Sequence, residues 1–215
     1  MTKPSLYCFS MPTFNSAKAL LAGEEAGVDY DIVFLDANTA EHRQEAHLGR
    51  HPLGKIPALE HGTLRLFESL AIARYFDALA GGPLSSSDPA IDARINQWAD
   101  FTVNHVGRAV GMLYLEEFLK PTFRGREPDP DVVAGALSQL ERELPVLDQA
   151  LADSEFFGGE HYSLADVVVL AYLLDQHKLS LSTDPYPNLA RWYTAALARP
   201  ATERALARNR GDAVA

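Results

Sequence analysis

The pair Ile56-Pro57 constrains this chain more than any other short feature. A residue before proline is driven to extended geometry, so no helix can run through Ile56. An X-Pro bond can also be cis at modest cost, usually in a tight turn. Downstream, two short apolar runs at 58–60 and 64–66 flank His61-Gly62 and read as a hairpin. Glu68-Ser69 then opens an amphipathic helix over 68–79, with Leu70, Ile72, Ala73 and Phe76 on one face. The free N–H groups and dipole of that helix start favour a carboxylate. The turn can leave the N–H and C=O of Ile56 free for a ligand's backbone. Residues 51–69 thus read as an anion site of peptide size beside a sharp turn.

The rest of the chain divides around this stretch. Residues 6–9 read as a buried strand, and helical periodicity begins after Asn15-Ser16 and ends near Gly27. Residues 30–35 form a second strand, and 39–48 a polar, helical segment. The order βαβ, α, ββ, α describes a thioredoxin-like unit, in which the helix between the first two strands implies a parallel pair. Gly81-Gly82-Pro83 with the serines at 85–87 reads as a linker. Everything beyond is helical. One long helix runs from Asp88-Pro89 to about Leu119, with Gly107 and Gly111 inside it, and a loop follows over 121–130. A second helix spans 131–153, where Pro145 should kink or break it. A strongly apolar helix covers 163–177, and two more, 186–198 and 200–207, complete a bundle. Ser163 and Asp166 have capping-box spacing, which makes Asp166 a folding device. The expected fold is α+β, a βαβαββα thioredoxin-like domain over 1–80, a linker over 81–90 and an all-α domain over 91–215.

Composition excludes several functions. A formal net charge of −10 disfavours nucleic acid and anionic membranes as partners. No apolar run approaches the ~20 residues that span a bilayer. Cys8 is the only cysteine, so no internal disulfide framework exists and a reducing cytoplasm is the expected setting. Cys8 itself reads as a small buried apolar residue. The seven histidines lack metal-ligand spacing, so no metal is expected.

His51-Pro52-x-Gly54, Ile56-Pro57, Leu59 and Glu68-Ser69, in that order and spacing, resemble the glutathione-binding motif of the cytosolic glutathione transferase superfamily. The resemblance covers nearly the whole chain, including Ser163-x-x-Asp166 and the Tyr186-Pro187-Asn188 region. It implies that the Ile56 backbone, before a cis Pro57, pairs with the cysteinyl part of glutathione, and that Glu68 and Ser69 hold the γ-glutamyl end. The segment from Glu41 to Gly54 resembles the phi class and places His42 on the glycyl carboxylate, with Lys55 at the same end.

Glutathione transfer needs a thiolate, and a free thiol near pKa 8.5 is only a few per cent ionised at neutral pH. Lowering that by ~2 units takes about 2.7 kcal/mol, within reach of one hydroxyl donor plus a helix N-terminus. Thr13 falls where serine-type classes place their catalytic serine. Pro12-Thr13-x-Asn15-x-x-Lys18 also resembles the bacterial nu class of glutathione-dependent disulfide reductases, which adds Asn15. Asn15 or Ser16 can equally serve as the helix N-cap. An electrophile is expected between the domains, with Met11 or Phe14 as one wall and Val103, Gly107, Val110 and Tyr114 as the other. The expected protein is a cytoplasmic homodimer in which Thr13, assisted by Asn15, activates glutathione for attack on an apolar electrophile. Disulfide reduction at the same site and a non-catalytic scaffold of the same fold are the alternatives.

Overall fold

In the computed structural model, residues 2–11 and 13–211 are described. Pro12, part of the loop motif above, lies outside them. Four strands, β1 (Ser5–Cys8), β2 (Asp31–Phe34), β3 (Ala58–His61) and β4 (Leu64–Phe67), form one sheet in the order β2-β1-β3-β4. β1 and β2 are parallel, with Leu6 opposite Ile32, while β1–β3 and β3–β4 are antiparallel. Helix α1 (Phe14–Glu25) supplies the crossover, a 3-10 turn (Glu41–Arg43) and the short α2 (Glu45–Leu48) follow β2, and α3 (Ser69–Leu79) closes the series. Leu6, Cys8, Leu20, Leu21, Leu59, Ile72 and Phe76 are buried together from these elements. Alternation decides the facing of β1: Leu6 and Cys8 are buried, while Tyr7 turns the other way and donates to Glu60 at 2.7 Å.

The second unit contains α4 (Pro89–Asn104), α5 (Val106–Leu113), a π-helical segment (Tyr114–Arg124), α6 (Pro130–Ala150), α7 (Leu164–Leu173), a 3-10 turn (Gln176–Lys178) and α8 (Pro187–Leu197). Every residue of α7 is buried, as its unbroken apolar run requires. The expected capping box is present: Asp166 accepts from Ser163 N and Oγ at 2.9 and 2.8 Å. It accepts further from Phe157 N at 3.1 Å and Trp192 Nε1 at 2.8 Å. Asp148 of α6 likewise caps α8, accepting from Asn188 N and Leu189 N at 2.7 and 2.9 Å.

Three expectations change. The long helix breaks at His105 (φ −116, ψ −87) rather than at a glycine, and then runs on through Pro121 to Arg124 where a loop was expected. Widened i→i+5 turns let the chain absorb an imino residue that an α-helix would reject. Helix α6 continues through Pro145, because Leu140, Leu144 and Leu147 are buried on both sides of it. Finally, the linear partition fails at the C-terminus. The chain from Ala198 on groups with the unit ending at Ser86, and the second unit is Ser87–Leu197. The cause is ionic. In α9 (Pro200–Arg210) Arg204 and Arg208 pair with Glu24, and Arg199, its N-cap, grips both oxygens of Glu25 at 2.6 and 2.8 Å.

Candidate active site

Helix α1 begins at Phe14, three residues before the start that the Asn15-Ser16 signal indicated, and Thr13 is its N-cap. The Thr13 Oγ1 accepts from Ser16 N at 3.2 Å and lies 3.3 Å from Ser16 Oγ. Neither Asn15 nor Ser16 caps the helix; they are its second and third residues. The Thr13 hydrogen is donated to Ser16 Oγ over that long distance, a weak bond that a stronger acceptor can replace. First-turn amides and the helix dipole converge on the same spot. Phe14 and Met11, on either side of the Thr13 turn, are half-buried.

The second helix start lies at the C-terminal side of β4. Glu68 is the N-cap of α3 and has φ 70, ψ 110, a region that side-chain-bearing residues rarely occupy. Ser69, the first helical residue, is buried. Between the two helix starts runs the 51–57 turn, whose Ile56-Pro57 bond is cis. The β1–β3 ladder begins at Ala58, so Ile56 stands just outside it. His51 shapes the turn by accepting from Leu53 N at 3.2 Å, and its ring lies 5.0 Å from that of Phe67. Gly54 has φ 58, and a Cβ there would stand 2.6 Å from the His42 carbonyl oxygen, so only glycine fits. His47 Nε2 meets the Lys55 carbonyl at 2.8 Å, leaving the Lys55 side chain exposed. His42 packs edge-on to Phe9 at 5.2 Å. Burial, then the neighbouring Arg43, hold the His42 imidazole below its ordinary range, so it is a neutral hydrogen-bonding group at neutral pH. Burial acts on His51 in the same direction against the pull of Glu68.

The structure thus brings Thr13, Asn15, His42, Lys55, Ile56, Pro57, Glu68 and Ser69 into one unit. Val103, Gly107, Val110 and Tyr114 belong to the helical unit. Gly107 makes room for a close approach by a neighbouring helix. A Cβ there would collide with the Tyr172 ring, so the space it leaves is taken by α7 and not by a ligand. Val110 and Tyr114 are buried, and Val103 keeps a half-exposed side chain. An open, polar groove of about 590 Å³ in the helical unit, lined by Arg94, Gln149, Asp153 and Glu160 among others, contains none of the residues named from sequence. Sequence reasoning gave no role to Lys18 or His51. The signal for Lys18 is its place in a helix face that is otherwise Ala, Leu and Gly. No group of His, Cys, Asp and Glu suited to a metal ion occurs among the described residues.

A four-stranded thioredoxin-like sheet, two helix starts flanking a cis-proline turn, and a helical unit after it define a two-unit transferase fold. Models of the glutathione S-transferase N-terminal and C-terminal domains match residues 4–78 and 110–200. The chain belongs to the glutathione S-transferase family. It is 32% identical over 207 residues to glutathione S-transferase 4 of Zea mays, covering 93% of this chain and 90% of that protein. It is 30% identical to the probable glutathione S-transferase GSTF2 of Oryza sativa subsp. japonica, covering 89% and 91%. Glutathione S-transferase I from maize, in complex with an atrazine glutathione conjugate, superposes with a TM-score of 0.89 at 29% identity, covering 99% and 100%. These comparisons support the phi-like side of the sequence resemblance and lend nothing to its bacterial and nu-like side.

Proposed function

We propose that this protein is a glutathione transferase that binds glutathione, lowers the pKa of its thiol and directs the thiolate at an apolar electrophile. One observation carries the reading: the Thr13 hydroxyl caps α1 and gives its own hydrogen only to Ser16 Oγ, across a long 3.3 Å that a thiolate can outcompete, at the spot where the helix dipole is aimed. The thiol proton leaves to solvent, and the sulfur, held by Thr13 with Asn15 beside it, keeps the electron pair. That pair forms the new C–S bond as the leaving group departs with its own. The Ile56 backbone takes the cysteinyl part. Glu68 takes the γ-glutamyl ammonium, and Ser69 at the first turn of α3 takes the adjoining carboxylate. At the glycyl end Lys55 is the cation and His42 the neutral donor. Met11 and Phe14 are the apolar contacts beside the sulfur. The solved maize relative was studied with an atrazine glutathione conjugate, which fits an apolar electrophile.

The test is the ultraviolet thiolate band of bound glutathione followed across pH. The band should appear well below the free thiol's pKa. Binding without it, or turnover of 2-hydroxyethyl disulfide exceeding that of an aromatic chloride, would overturn conjugation as the reaction. Glu68→Ala should weaken glutathione roughly 10- to 100-fold, the worth of one charge-assisted hydrogen bond. Unchanged affinity by calorimetry would remove the γ-glutamyl assignment.

We also assign a homodimer. Leu53 is 71% exposed, the most of any large apolar side chain among the described residues, and Leu48 before the turn and Phe67, whose ring lies near His51, are exposed as well. Large apolar side chains exposed on one turn and its neighbours mark a candidate association surface. Leu53→Glu should convert a dimer to monomers in analytical ultracentrifugation, and a dimer that persists would place the interface elsewhere. A cytoplasmic setting fits a chain whose one cysteine is buried with its thiol pushed up to about 12. Among the described residues no helix is long and apolar enough to cross a membrane.

A further inference from the structure

The turn between α2 and β3 is held in two halves. Residues 51–54 close on themselves: Leu53 N donates to His51 Nδ1 at 3.2 Å and Gly54 N to the His51 carbonyl at 2.8 Å. The Lys55–Ile56 peptide group has no such closure. Among the described residues its single hydrogen bond comes from His47, whose Nε2 lies 2.8 Å from the Lys55 oxygen. A carbonyl only accepts, so Nε2 carries the ring hydrogen. The other ring nitrogen, Nδ1, is buried with no hydrogen-bond partner among the described residues. His47 is 1% exposed, and one unpaired polar atom inside is a cost that a leucine in the same space would not carry. Its one hydrogen bond, and not packing, therefore accounts for an imidazole here. The segment that carries the ring is anchored to the sheet. Arg50, just past α2, donates to the Ala46 carbonyl at 3.0 Å and to Glu60 at 2.9 Å, and its guanidinium lies 4.0 Å from the centroid of the Tyr7 ring. Tyr7 donates to the same carboxylate at 2.7 Å.

A peptide group is one rigid plane, and in a trans peptide the oxygen and the N–H hydrogen point in opposite directions. The Lys55–Ile56 bond is trans. Holding the Lys55 oxygen on His47 therefore fixes the Ile56 N–H on the opposite edge of the plane, directed away from the His47 ring. That N–H meets no acceptor among the described residues. We propose that His47 is a positioning residue for glutathione: by gripping the Lys55 carbonyl it aims the Ile56 N–H at the carbonyl of the cysteinyl residue. The inference rests on the glutathione site proposed above. His47 touches neither the ligand nor its sulfur, and no covalent bond changes. Without its hydrogen bond the peptide plane is free to turn about the flanking φ and ψ angles, and the ligand must then order it on binding. Affinity for the tripeptide falls, whereas a thiol already bound beside Thr13 keeps its reactivity.

The experiment begins with the wild-type full chain labelled with nitrogen-15 in histidine and isoleucine. In magnetic resonance spectra the His47 ring should carry a hydrogen on Nε2. A ring protonated on Nδ1 alone cannot donate to Lys55 and would overturn the inference, which stays open to refutation in this way even if a variant does not fold. As S-methylglutathione fills the site, the Ile56 amide hydrogen should move downfield. His47→Leu should bind S-methylglutathione roughly 3- to 10-fold more weakly by calorimetry, the worth of one neutral hydrogen bond. Its KM for glutathione should rise by the same factor, with kcat and the KM for an aromatic chloride held, a split that general loosening of the fold would not produce. His47→Gln, whose amide nitrogen takes the place of Nε2, should recover wild-type affinity. Wild-type affinity in His47→Leu, or a His47→Gln variant no better than His47→Leu, would overturn the inference. The two levels separate at Ile56. An amide that stays still in the wild type while S-methylglutathione binds removes the cysteinyl pairing itself. An amide that moves equally in wild type and His47→Leu removes only the role of His47.

Discussion

Thr13→Ala is expected to lower kcat/KM for conjugation about 100- to 1000-fold, the usual loss when one preorganised donor to a developing anion is removed. The same substitution also deletes the N-cap of α1, worth about 1 kcal/mol of stability. The two effects separate by choice of replacement. Thr13→Ser retains both the cap and the donor, and should keep most of the activity. Thr13→Asp retains the cap, since aspartate accepts from Ser16 N as well as threonine does, but sets a negative charge against the thiolate. It should therefore match wild type in unfolding and Thr13→Ala in turnover. Steady-state kinetics with an aromatic chloride and thermal unfolding of the four proteins decide the matter. Full turnover in Thr13→Ala, with loss in Asn15→Ala, would move the donor role to Asn15.

Asp166→Ala should be the most destabilising single substitution outside the apolar core, at about 3–5 kcal/mol. The carboxylate serves four donors at once: two backbone amides, the Ser163 hydroxyl and the Trp192 indole. Removing it strands them in an interior without water, at roughly 1–3 kcal/mol apiece before relaxation. In a chain of this size that corresponds to a fall in Tm of about 10 °C or more. Asp166→Asn should recover only part, because its amide nitrogen would face groups that themselves donate. The pH dependence has a definite sign. Burial outweighs the four donors and raises Asp166 to about 6. The folded chain then binds this proton more tightly than the unfolded chain, where the carboxyl titrates near 3.9. Between those values raising the pH favours the unfolded state, so the contribution of Asp166 declines from about pH 4 to about pH 6 and is level above. Chemical denaturation across that range should show the slope in wild type and lose it in Asp166→Ala.

Both predictions concern residues named from sequence, and they show what made some features legible. Capping boxes, X-Pro pairs and apolar periodicity are local, and the structure contains them where the pattern placed them: the cis bond before Pro57, the hairpin around His61-Gly62, and Ser163 opposite Asp166. Thr13 was placed by its distance from a recognisable helix, but its capping role was obscured because Asn15 and Ser16 are equally good caps on propensity alone. Features that depend on distant groups were not readable. Continuity through Pro145 rests on burial of its helix neighbours, and the break at His105 has no glycine or proline to announce it. The room at Gly107 belongs to a tyrosine 65 positions later, so a small residue alone did not reveal what would fill it. Lys18 was visible as a letter in a motif, but its full burial depends on what packs against α1, which spacing does not encode.

The return of α9 to Glu24 and Glu25 has a consequence for how the protein is made. Its arginines pair with residues 174 to 184 positions earlier in the chain. The sheet unit is therefore begun before the helices of the second unit are made and finished only after them. Throughout synthesis of the intervening helices, the two glutamates wait without the guanidinium groups that will neutralise them. A nascent chain stalled just after α3 should have a looser sheet unit than the chain that includes α9, and pulse proteolysis of stalled chains would register the tightening only once α9 has cleared the exit tunnel. The order in which the polypeptide appears and the order in which its sheet unit closes are thus different, and termination before α9 would damage a unit translated ahead of the helices that separate it from α9.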